Sequence, residues 1–456
     1  MGQRQECGGR RRQDAQALNR RDTIFALSSG AGRAGVAVVR VSGPRAAAAL
    51  AALAGPGQIE PRKATLLRLR DRAGEAIDDA LVLWFPNPAS FTGEDLAEFQ
   101  IHGGRAVIEA LLAALGALPG LRPADPGEFT RRAVENGKFD LTRAEALADL
   151  IDAETEGQRR QALRQYEGAL AALYDGWRDR LTRASAWAEA AIDFSDEEIP
   201  QDAAAQARRS VDGILQEIQR HLKDNGSGEI VRNGVHLTVF GKTNAGKSSL
   251  VNALARRDVA IVSPTPGTTR DVIEVHLDLG GYAVIVCDTA GLRPAGEAIE
   301  SEGIRRALAR TESADIALLL LDGTAVDPFA DLPPDARERA SLTVWNKSDL
   351  PWPERREGLR ISAKTGEGLD ALVEALSKLI RQELESKGEY PPLTRARHRH
   401  ALEQAASALT RALAVQDTEL MAEDLRLALR ALGRITGRVD IEELLDVVFK
   451  DFCIGK

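Results

Sequence analysis

Cysteine, methionine and aromatic residues are scarce in this 456-residue sequence, which has three cysteines, two methionines and 4% aromatics. Cys7, Cys287 and Cys453 lie far apart and form no C-x-x-C pair, which argues against a disulfide framework and a structural zinc site. No run approaches the roughly 18 consecutive apolar residues of a membrane span, and residues 1–21 lack the apolar core of a secretory signal. We therefore expect a cytoplasmic protein with no membrane contact.

An excess of positive charge is also missing. Lys and Arg number 60 and Asp and Glu number 68, which gives a net charge of −8 and excludes a uniformly basic nucleic-acid coat. A local basic patch remains compatible with this balance, so RNA binding stays open. Residues 1–21 carry three consecutive arginines from Arg10. We interpret this segment as a flexible extension; an RNA-binding arm and an organelle-targeting peptide are the alternatives.

The sequence pattern changes several times along the chain, and the length alone suggests two to four domains. Short apolar runs between Gly, Pro and Asp turns follow Asp22 and indicate an α+β unit. Farther on, apolar residues recur every three or four positions, which predicts one face of a single long helix. That set is Leu163, Tyr166, Leu170, Leu173, Trp177, Leu181 and Ala184.

Apolar strand-like runs alternate with helical segments after residue 230, which is typical of a parallel sheet covered by helices. The last segment is helical again. We predict a multidomain α/β protein in which an α/β domain is inserted into an all-α domain; separate packing of the two helical halves is the alternative. The predicted parts are an extension (1–21), an N-terminal α+β domain (22–138), the first helical half (139–229), the inserted domain (230–384) and the second helical half (385–456).

A phosphate-binding motif follows the first strand of the inserted part. Residues 241–248, GKTNAGKS, fit G-x-x-x-x-G-K-[ST] and precede a helical segment, as the P-loop requires. The glycines allow backbone N–H groups to surround phosphates, Lys247 supplies a cation to them, and the Ser248 hydroxyl suits Mg²⁺.

Three further motifs indicate guanine rather than adenine. DTAG begins at Asp288, which can hold Mg²⁺ through water, and the Gly291 N–H can meet a γ-phosphate. NKSD begins at Asn346, and its Asp349 carboxylate suits the two N–H donors of a guanine edge. Ser362-Ala363-Lys364 completes a base pocket.

This order of motifs resembles the Ras-like GTPases, with the doubly wound P-loop fold. In that resemblance Thr269 of PGTTRD is a second hydroxyl on Mg²⁺. Leu292 follows DTAG where Ras-like enzymes carry a water-positioning Gln, and an apolar side chain cannot orient water.

The whole chain from Asp22 onward resembles the MnmE (TrmE) family of tRNA-modification GTPases. The resemblance rests on DTIFALSSGAGRAGVAVVRVSG, SFTGEDLAEFQIHGG, PGEFTRRAVENGKFDLTRAEALADLIDAET and the terminal FCIGK. It implies GTP hydrolysis together with the FAD protein MnmG, and addition of an aminomethyl or carboxymethylaminomethyl group to C5 of the wobble uridine of tRNA. It also implies a homodimer formed through the N-terminal domain, and a heterotetramer with MnmG.

The same resemblance implies cofactors and residues. A 5,10-methylene- or 5-formyl-tetrahydrofolate would contact Arg40, Glu98, Lys138 and Lys456. A potassium ion would be held by Asn244 with Ser263, Thr265 and Thr268, although Thr243 replaces the family's usual Pro. Glu300 would orient the attacking water, with Glu302 as the second choice. Cys453 is either a nucleophile or a residue that shapes the folate site.

The complete set of GTP-binding residues implied by the motifs and the resemblance is Asn244, Ala245, Gly246, Lys247, Ser248, Ser249, Ser263, Pro264, Thr265, Pro266, Gly267, Thr268, Thr269, Asp288, Thr289, Ala290, Gly291, Asn346, Lys347, Ser348, Asp349, Ser362, Ala363 and Lys364.

Two other functions remain open from the sequence. One is a GTPase that acts only as a binding switch, for example in ribosome assembly, with the other domains docking RNA. The second is a folate-dependent aminomethyl-transfer enzyme with a regulatory GTPase and no RNA substrate. Folate binding would distinguish the tRNA-modification function from the binding switch. Loss of the modified wobble uridine in cells lacking the protein would exclude the enzyme with no RNA substrate.

Overall fold

The computed structural model describes residues 22–30, 32–57, 59–193, 201–224, 226–257, 259–261, 274–288, 314–330, 332–354, 356–384 and 390–439, with residues 445, 448, 449, 452 and 455. Two compact units divide the chain. The first combines Met1–Ala148 with Thr436–Lys456, and the second is Asp149–Ile435.

The first unit is built on a six-stranded sheet in the order β3-β4-β5-β2-β1-β6, in which only the β1–β6 pair is parallel. Apolar residues alternate along β2 and β5, so one face of the sheet is buried under two helices. The strands are β1 Thr23–Leu27, β2 Ala34–Ser42, β3 Thr65–Arg70, β4 Ala76–Phe85, β5 Leu96–Gly103 and β6 Leu121–Pro123, and the helices are α1 Ala46–Ala54 and α2 Arg105–Gly116.

Two more helices, α3 Glu128–Glu135 and α4 Leu141–Asp152, follow the sheet. Residues from the end of the chain pack on them, since Leu445 and Phe449 share a buried cluster with residues of both helices. Gly127, at φ +67°, precedes α3, and a Cβ there would lie 2.9 Å from atoms of Phe449 and Phe452. The close approach of the C-terminal segment therefore depends on this glycine.

The second unit begins with three helices, α5 Glu156–Tyr166, α6 Ala169–Asp193 and α7 Gln201–Leu222. Thr155 and Gln158 form a capping box that starts α5. The prediction of one continuous helix over Leu163–Ala184 is wrong, because α5 ends at Tyr166 and α6 begins at Ala169. Gly168 lies between them at φ +96°, a left-handed conformation that ends a helix.

A doubly wound α/β sheet follows α8 Ser227–Asn233. Its strand order is β12-β11-β10-β7-β9-β8, parallel except for the β8–β9 hairpin. The central strands are continuous apolar runs because both faces are covered. The elements are β7 Val235–Phe240, α9 Lys247–Ala255, β8 Glu274–Leu279, β9 Tyr282–Asp288, β10 Ile316–Asp322, β11 Leu342–Asn346, β12 Leu359–Arg360 and α10 Leu369–Leu384.

The chain returns to helices with α11 Ala396–Ala414 and α12 Thr418–Thr436. Residues of α6, α7, α11 and α12 form one buried cluster, so helices from before and after the α/β sheet share a core. The predicted fold class, multidomain α/β with an all-α part, is confirmed. The exact boundaries of the predicted parts stay a prediction.

The helical part also contacts the α/β part within this unit. Gly157 N donates a 2.7 Å hydrogen bond to Gly281 O, in the turn between β8 and β9. Asp149 Oδ1 accepts hydrogen bonds from Arg232 Nε at 2.8 Å and Arg395 Nη2 at 2.7 Å. The first contact fixes the β8–β9 turn to α5. The other two hold together the segments at which the chain enters and leaves the α/β part, since Arg232 precedes that part and Arg395 follows it.

Among the helices of the described residues, none combines the length and the apolar composition needed to cross a membrane.

Candidate functional site

The loop between β7 and α9 has glycine only where the backbone requires it. Gly241 has φ +149°, and a Cβ there would lie 2.2 Å from Leu320 O. Gly246 has φ +98°, and a Cβ there would lie 2.2 Å from Asn346 Nδ2. The loop therefore packs closely on its own fold, and α9 begins at Lys247 with its N-terminal N–H groups at the loop. Such a helix start suits a phosphate group.

Side chains of this loop supply charge and hydroxyl groups. Lys247 Nζ donates to Gly241 O at 2.9 Å and to Lys242 O at 2.7 Å, which holds the ammonium group inside the loop. Ser248 is half-buried in the first turn of α9. Asn244 is exposed at the tip, with φ +63°. The roles predicted for these side chains, Lys247 at the phosphates, Ser248 on Mg²⁺ and Asn244 on K⁺, stay predictions.

Asn346 connects the phosphate loop to the predicted base pocket. It ends β11 and is buried, with 3% of its surface exposed. Its Nδ2 donates to Ala245 O at 2.7 Å, and its Oδ1 accepts from Ala363 N at 2.9 Å. One side chain therefore sets the spacing between the loop after β7 and the loop after β12.

Asp349 is held at the mouth of the same pocket. Ser362 is fully buried and donates its Oγ to Asp349 Oδ1 at 2.7 Å. No described residue hydrogen-bonds to Asp349 Oδ2. The carboxylate is thus oriented through one oxygen, and because each carboxylate oxygen has two lone pairs, both oxygens can still accept from a ligand.

Sequence reasoning missed Asp322, at the end of β10. Lys347 Nζ donates to Asp322 Oδ2 at 2.6 Å, and Lys347 itself has φ +68°. Burial alone would raise the pKa of Asp322, but the hydrogen bonds from Lys347 and Thr324 outweigh it, so the pKa is lowered from its ordinary value. The ionised carboxylate therefore fixes the lysine of the NKSD motif.

Several predicted residues fall outside the described part of the chain. Asp288 ends β9, and its backbone pairs with Val239 of β7, beside the phosphate loop. The undescribed residues are Ser263, Pro264, Thr265, Pro266, Gly267, Thr268, Thr269, Thr289, Ala290, Gly291, Glu300, the second choice Glu302, Cys453 and Lys456.

In the first unit, Arg40 and Glu98 lie directly opposite each other on β2 and β5. Arg40 Nε and Nη2 both donate to Glu98 Oε1, at 3.0 and 2.8 Å, and about a fifth of each side chain is exposed. The guanidinium also lies 5.2 Å from the ring centroid of Phe91 and 5.7 Å from that of Phe129. No described residue hydrogen-bonds to Glu98 Oε2, which is free to accept from a ligand.

Lys138 is the other predicted folate residue that the structure describes. Lys138 Nζ donates to Pro88 O at 2.8 Å, and the ring of its neighbour Phe139 is 5.7 Å from that of Phe91. Gly455, of the terminal FCIGK, is buried against β1, and a Cβ there would lie 2.1 Å from Leu27 O. The C-terminal motif therefore reaches the sheet that carries Arg40.

A buried charged network in the same unit escaped sequence reasoning. Arg132 Nη2 donates to Glu128 Oε1 at 2.8 Å and Arg132 Nη1 to Glu94 Oε2 at 3.1 Å, while Arg122 pairs with Glu128. Burial opposes ionisation of Glu128, but Arg122, Asp125 N and Arg132 together lower its pKa. A glutamate and an arginine four positions apart on a short helix carry no sequence signal that distinguishes burial from exposure.

Among the described residues, no group of three or more His, Cys, Asp or Glu side chains is placed to bind a metal ion. Only Ser248 and Asn244 of the predicted ion ligands have described side chains, so the ion sites remain predictions.

Two family models match this chain. The model described as "GTP-binding protein TrmE N-terminus" matches residues 23–138, and the one described as "MnmE helical domain" matches residues 141–453. The second covers more than half of the chain.

Curated relatives match along nearly the whole length. The "tRNA modification GTPase MnmE" of Paramagnetospirillum magneticum is 56% identical over 441 residues, 95% of this chain and 100% of that one. Its namesake from Parvibaculum lavamentivorans is 56% identical over 444 residues, with the same coverage. The one from Rhodospirillum rubrum is 54% identical over 454 residues, 95% of this chain and 99% of that one.

Proposed function

This chain belongs to the MnmE family of tRNA modification GTPases and is a GTP hydrolase of tRNA modification, and from that premise we propose how its parts divide the work. The α/β part binds and hydrolyses GTP as a switch. The first unit binds a one-carbon folate. With the FAD protein MnmG, the protein adds an aminomethyl or carboxymethylaminomethyl group to C5 of the wobble uridine, in the cytoplasm.

The link made by Asn346 between Ala245 and Ala363 carries the nucleotide part of this proposal. It sets the phosphate loop at a fixed distance from the carboxylate of Asp349. The N–H groups at the start of α9 and Lys247 would hold the phosphates, and Asp349 would accept the two N–H donors of guanine. Adenine lacks that pair of donors, so the pocket would select GTP.

Mg²⁺ would sit at the end of the phosphate loop where α9 begins, and K⁺ would sit at the tip of the loop. Ser248 and Thr269 would hold Mg²⁺, with Asp288 acting through water. Asn244, with Ser263, Thr265 and Thr268, would hold K⁺, and its exposed, left-handed position at the loop tip supports this assignment. A cation beside the phosphates supplies the positive charge that an arginine finger brings in other GTPases. Glu300 would then orient the water, and pairing of two α/β parts would complete the site.

The folate part of the proposal rests on Arg40 and Glu98. Glu98 Oε2 has an open position for the donor edge of a pterin, while Oε1 is held by Arg40. Arg40, Lys138 and Lys456 would provide positive charge for a folate's carboxylates. A bound 5,10-methylene-tetrahydrofolate would supply the one-carbon unit, 5-formyl-tetrahydrofolate would occupy the same site, and Cys453 would act either as a nucleophile or by shaping the site. The functional assembly would be a homodimer, joined to MnmG in a heterotetramer and acting on tRNA.

Mass spectrometry of tRNA nucleosides tests the proposal. Cells lacking this protein would be complemented with the wild type, with Lys247→Ala, or with Glu98→Gln. We expect the C5-modified wobble uridine only with the wild type. A matched control is Asp79→Asn, since Asp79 forms a cross-strand pair with Arg68 on the same sheet but outside the proposed site. An unchanged nucleoside profile in cells lacking the protein would contradict the proposed reaction.

A further inference from the structure

Two tryptophans lie behind the NKSD loop. Trp345 directly precedes Asn346, and Trp352 follows Asp349 by three residues; their ring centroids are 6.3 Å apart. The Arg360 guanidinium lies over the Trp352 ring, 4.9 Å from its centroid. Each indole N–H is used, because Trp345 Nε1 donates to Glu357 O at 2.9 Å and Trp352 Nε1 donates to Lys347 O at 2.9 Å. Only the second bond reaches the NKSD loop.

The carbonyl that Trp352 holds belongs to a residue in an unfavourable backbone conformation. Lys347 has φ +68°, in the left-handed region that non-glycine residues adopt at a cost of about 1 kcal/mol or more. Its ammonium group is fixed by Asp322, and its carbonyl accepts from Trp352 Nε1 at 2.9 Å and from Leu350 N at 3.1 Å. The surroundings therefore fix this residue from both sides, and it directs the chain from the buried Asn346 to the exposed Asp349.

The end of β10 fixes the position of the indole. A Cβ at Gly323 would lie 2.2 to 2.6 Å from three atoms of the Trp352 ring, so the ring rests directly on this glycine. Gly323 N also donates to Asn346 O at 3.0 Å. The Asn346–Lys347 segment is thus held between Gly323 and the Trp352 indole.

We propose that Trp352 is a positioning residue for guanine recognition: its indole N–H holds the Lys347 carbonyl and so sets the direction of the Asp349 carboxylate. The inference rests on the proposed guanine site and adds a residue that does not touch the base. Two hydrogen bonds to one carboxylate require a fixed orientation, whereas a single bond tolerates rotation. Loss of the indole bond should therefore weaken guanine binding more than hypoxanthine binding, because hypoxanthine lacks the 2-amino group.

Dissociation constants for GDP and IDP, measured on the full chain by titration calorimetry, test this. We expect Trp352→Phe to raise the GDP constant about fivefold, the size of one lost hydrogen bond, and to raise the IDP constant less. The preference for GDP over IDP should therefore fall. Trp345→Phe is the matched control, since it removes an indole bond of equal length from the same cluster and should leave the preference unchanged.

A second variant disturbs the hydrogen bond between Trp352 and Lys347 by moving the indole ring. Gly323→Ala would push its Cβ into the Trp352 ring and should lower the preference in the same way, so it decides the question if Trp352→Phe does not fold. An unchanged preference in the folded variants, or an equal fall with Trp345→Phe, would overturn the role of Trp352. A wild type that binds GDP no better than IDP and ADP would instead overturn the guanine site itself.

Discussion

Asn346 donates its side-chain amide to the carbonyl of Ala245, 101 positions earlier in the chain, at 2.7 Å. The two residues belong to motifs that a sequence presents separately. Because the same side chain also accepts from Ala363, one buried amide positions the phosphate loop against both loops of the base pocket. Loss of this amide should therefore affect binding and stability together.

We expect Asn346→Ala to weaken GDP binding by about tenfold or more and to lower the free energy of unfolding of the α/β part by about 2 kcal/mol, because the buried carbonyl of Ala245 and the half-buried N–H of Ala363 lose their partners. Calorimetric titration and urea denaturation measure the two effects. Asn252→Ala, on the exposed side of α9, is the control and should change neither. Normal GDP binding by a folded Asn346→Ala would show that the link is dispensable.

The pairing of Arg40 with Glu98 predicts a selective effect on folate. Glu98→Gln keeps the shape of the side chain but removes the charge that would receive the pterin donors, so affinity for 5-formyl-tetrahydrofolate should fall by about tenfold or more. Equilibrium dialysis of the purified protein measures it. Asp79→Asn breaks the similar pair with Arg68 on the same sheet and should leave folate binding intact. Equal losses in both variants would contradict a local role for Glu98.

His221 predicts an acid sensitivity of the helical part. Burial lowers its pKa to about 4 from an ordinary 6.5, and its ring lies 5.6 Å from that of Trp177. His221 is therefore protonated below about pH 6.5 in the unfolded chain but only near pH 4 in the folded chain. Its contribution to the free energy of unfolding is fully present above pH 6.5 and is lost as the pH falls toward 4. We expect a loss of roughly 2 kcal/mol between pH 7 and pH 5 from this residue.

Urea denaturation at both pH values, followed by tryptophan fluorescence, measures this loss. His221→Gln should reduce the difference between pH 7 and pH 5, whereas the exposed His400→Gln on α11 should retain it. If both variants respond to pH like the wild type, His221 does not cause the acid sensitivity.

Gly157 predicts a stability effect that its position in a helix would not suggest. A Cβ there would lie 2.7 Å from Gly281 O and 3.2 Å from the Tyr282 ring, so Gly157→Ala should separate α5 from the β8–β9 turn. We expect the free energy of unfolding to fall by about 1 to 3 kcal/mol and the backbone amide at position 157 to exchange its hydrogen faster. Gly176→Ala, in α6 with nothing within 4 Å of its Cβ, should instead stabilise by about 0.5 to 1 kcal/mol.

Regular spacing of apolar residues made the fold class predictable. Parts of the site were not predictable, because they depend on contacts between residues far apart in the chain. The apolar runs of β7, β9, β10 and β11 predicted the parallel sheet correctly. The apolar spacing of three and four residues continues from Leu163 to Ala184 although the helix breaks at Gly168. Two successive helices can share one such spacing, so the spacing did not indicate the break. Gly168 was the available signal.

Motif residues such as Asn346 and Asp349 were predicted from their chemistry, and their roles in binding stay predictions. Asp322 and Arg132 were missed for a different reason. Each acts through a contact with a residue far along the chain, 25 positions for Asp322 with Lys347 and 38 for Arg132 with Glu94. No local pattern encodes such a contact, since it follows from the strand order and not from neighbouring residues.

The β8–β9 hairpin is bonded to the helical part at its turn and leads to the proposed nucleotide site at its other end. Its turn is bonded to α5 through Gly157, the chain before β8 carries Thr269, and β9 ends at Asp288, the first residue of the DTAG motif. β9 has seven residues and therefore spans about 20 Å. Because β9 also pairs with β7 from Val284 to Asp288, the hairpin is a direct connection of one strand length between the α5 contact and the proposed phosphate site.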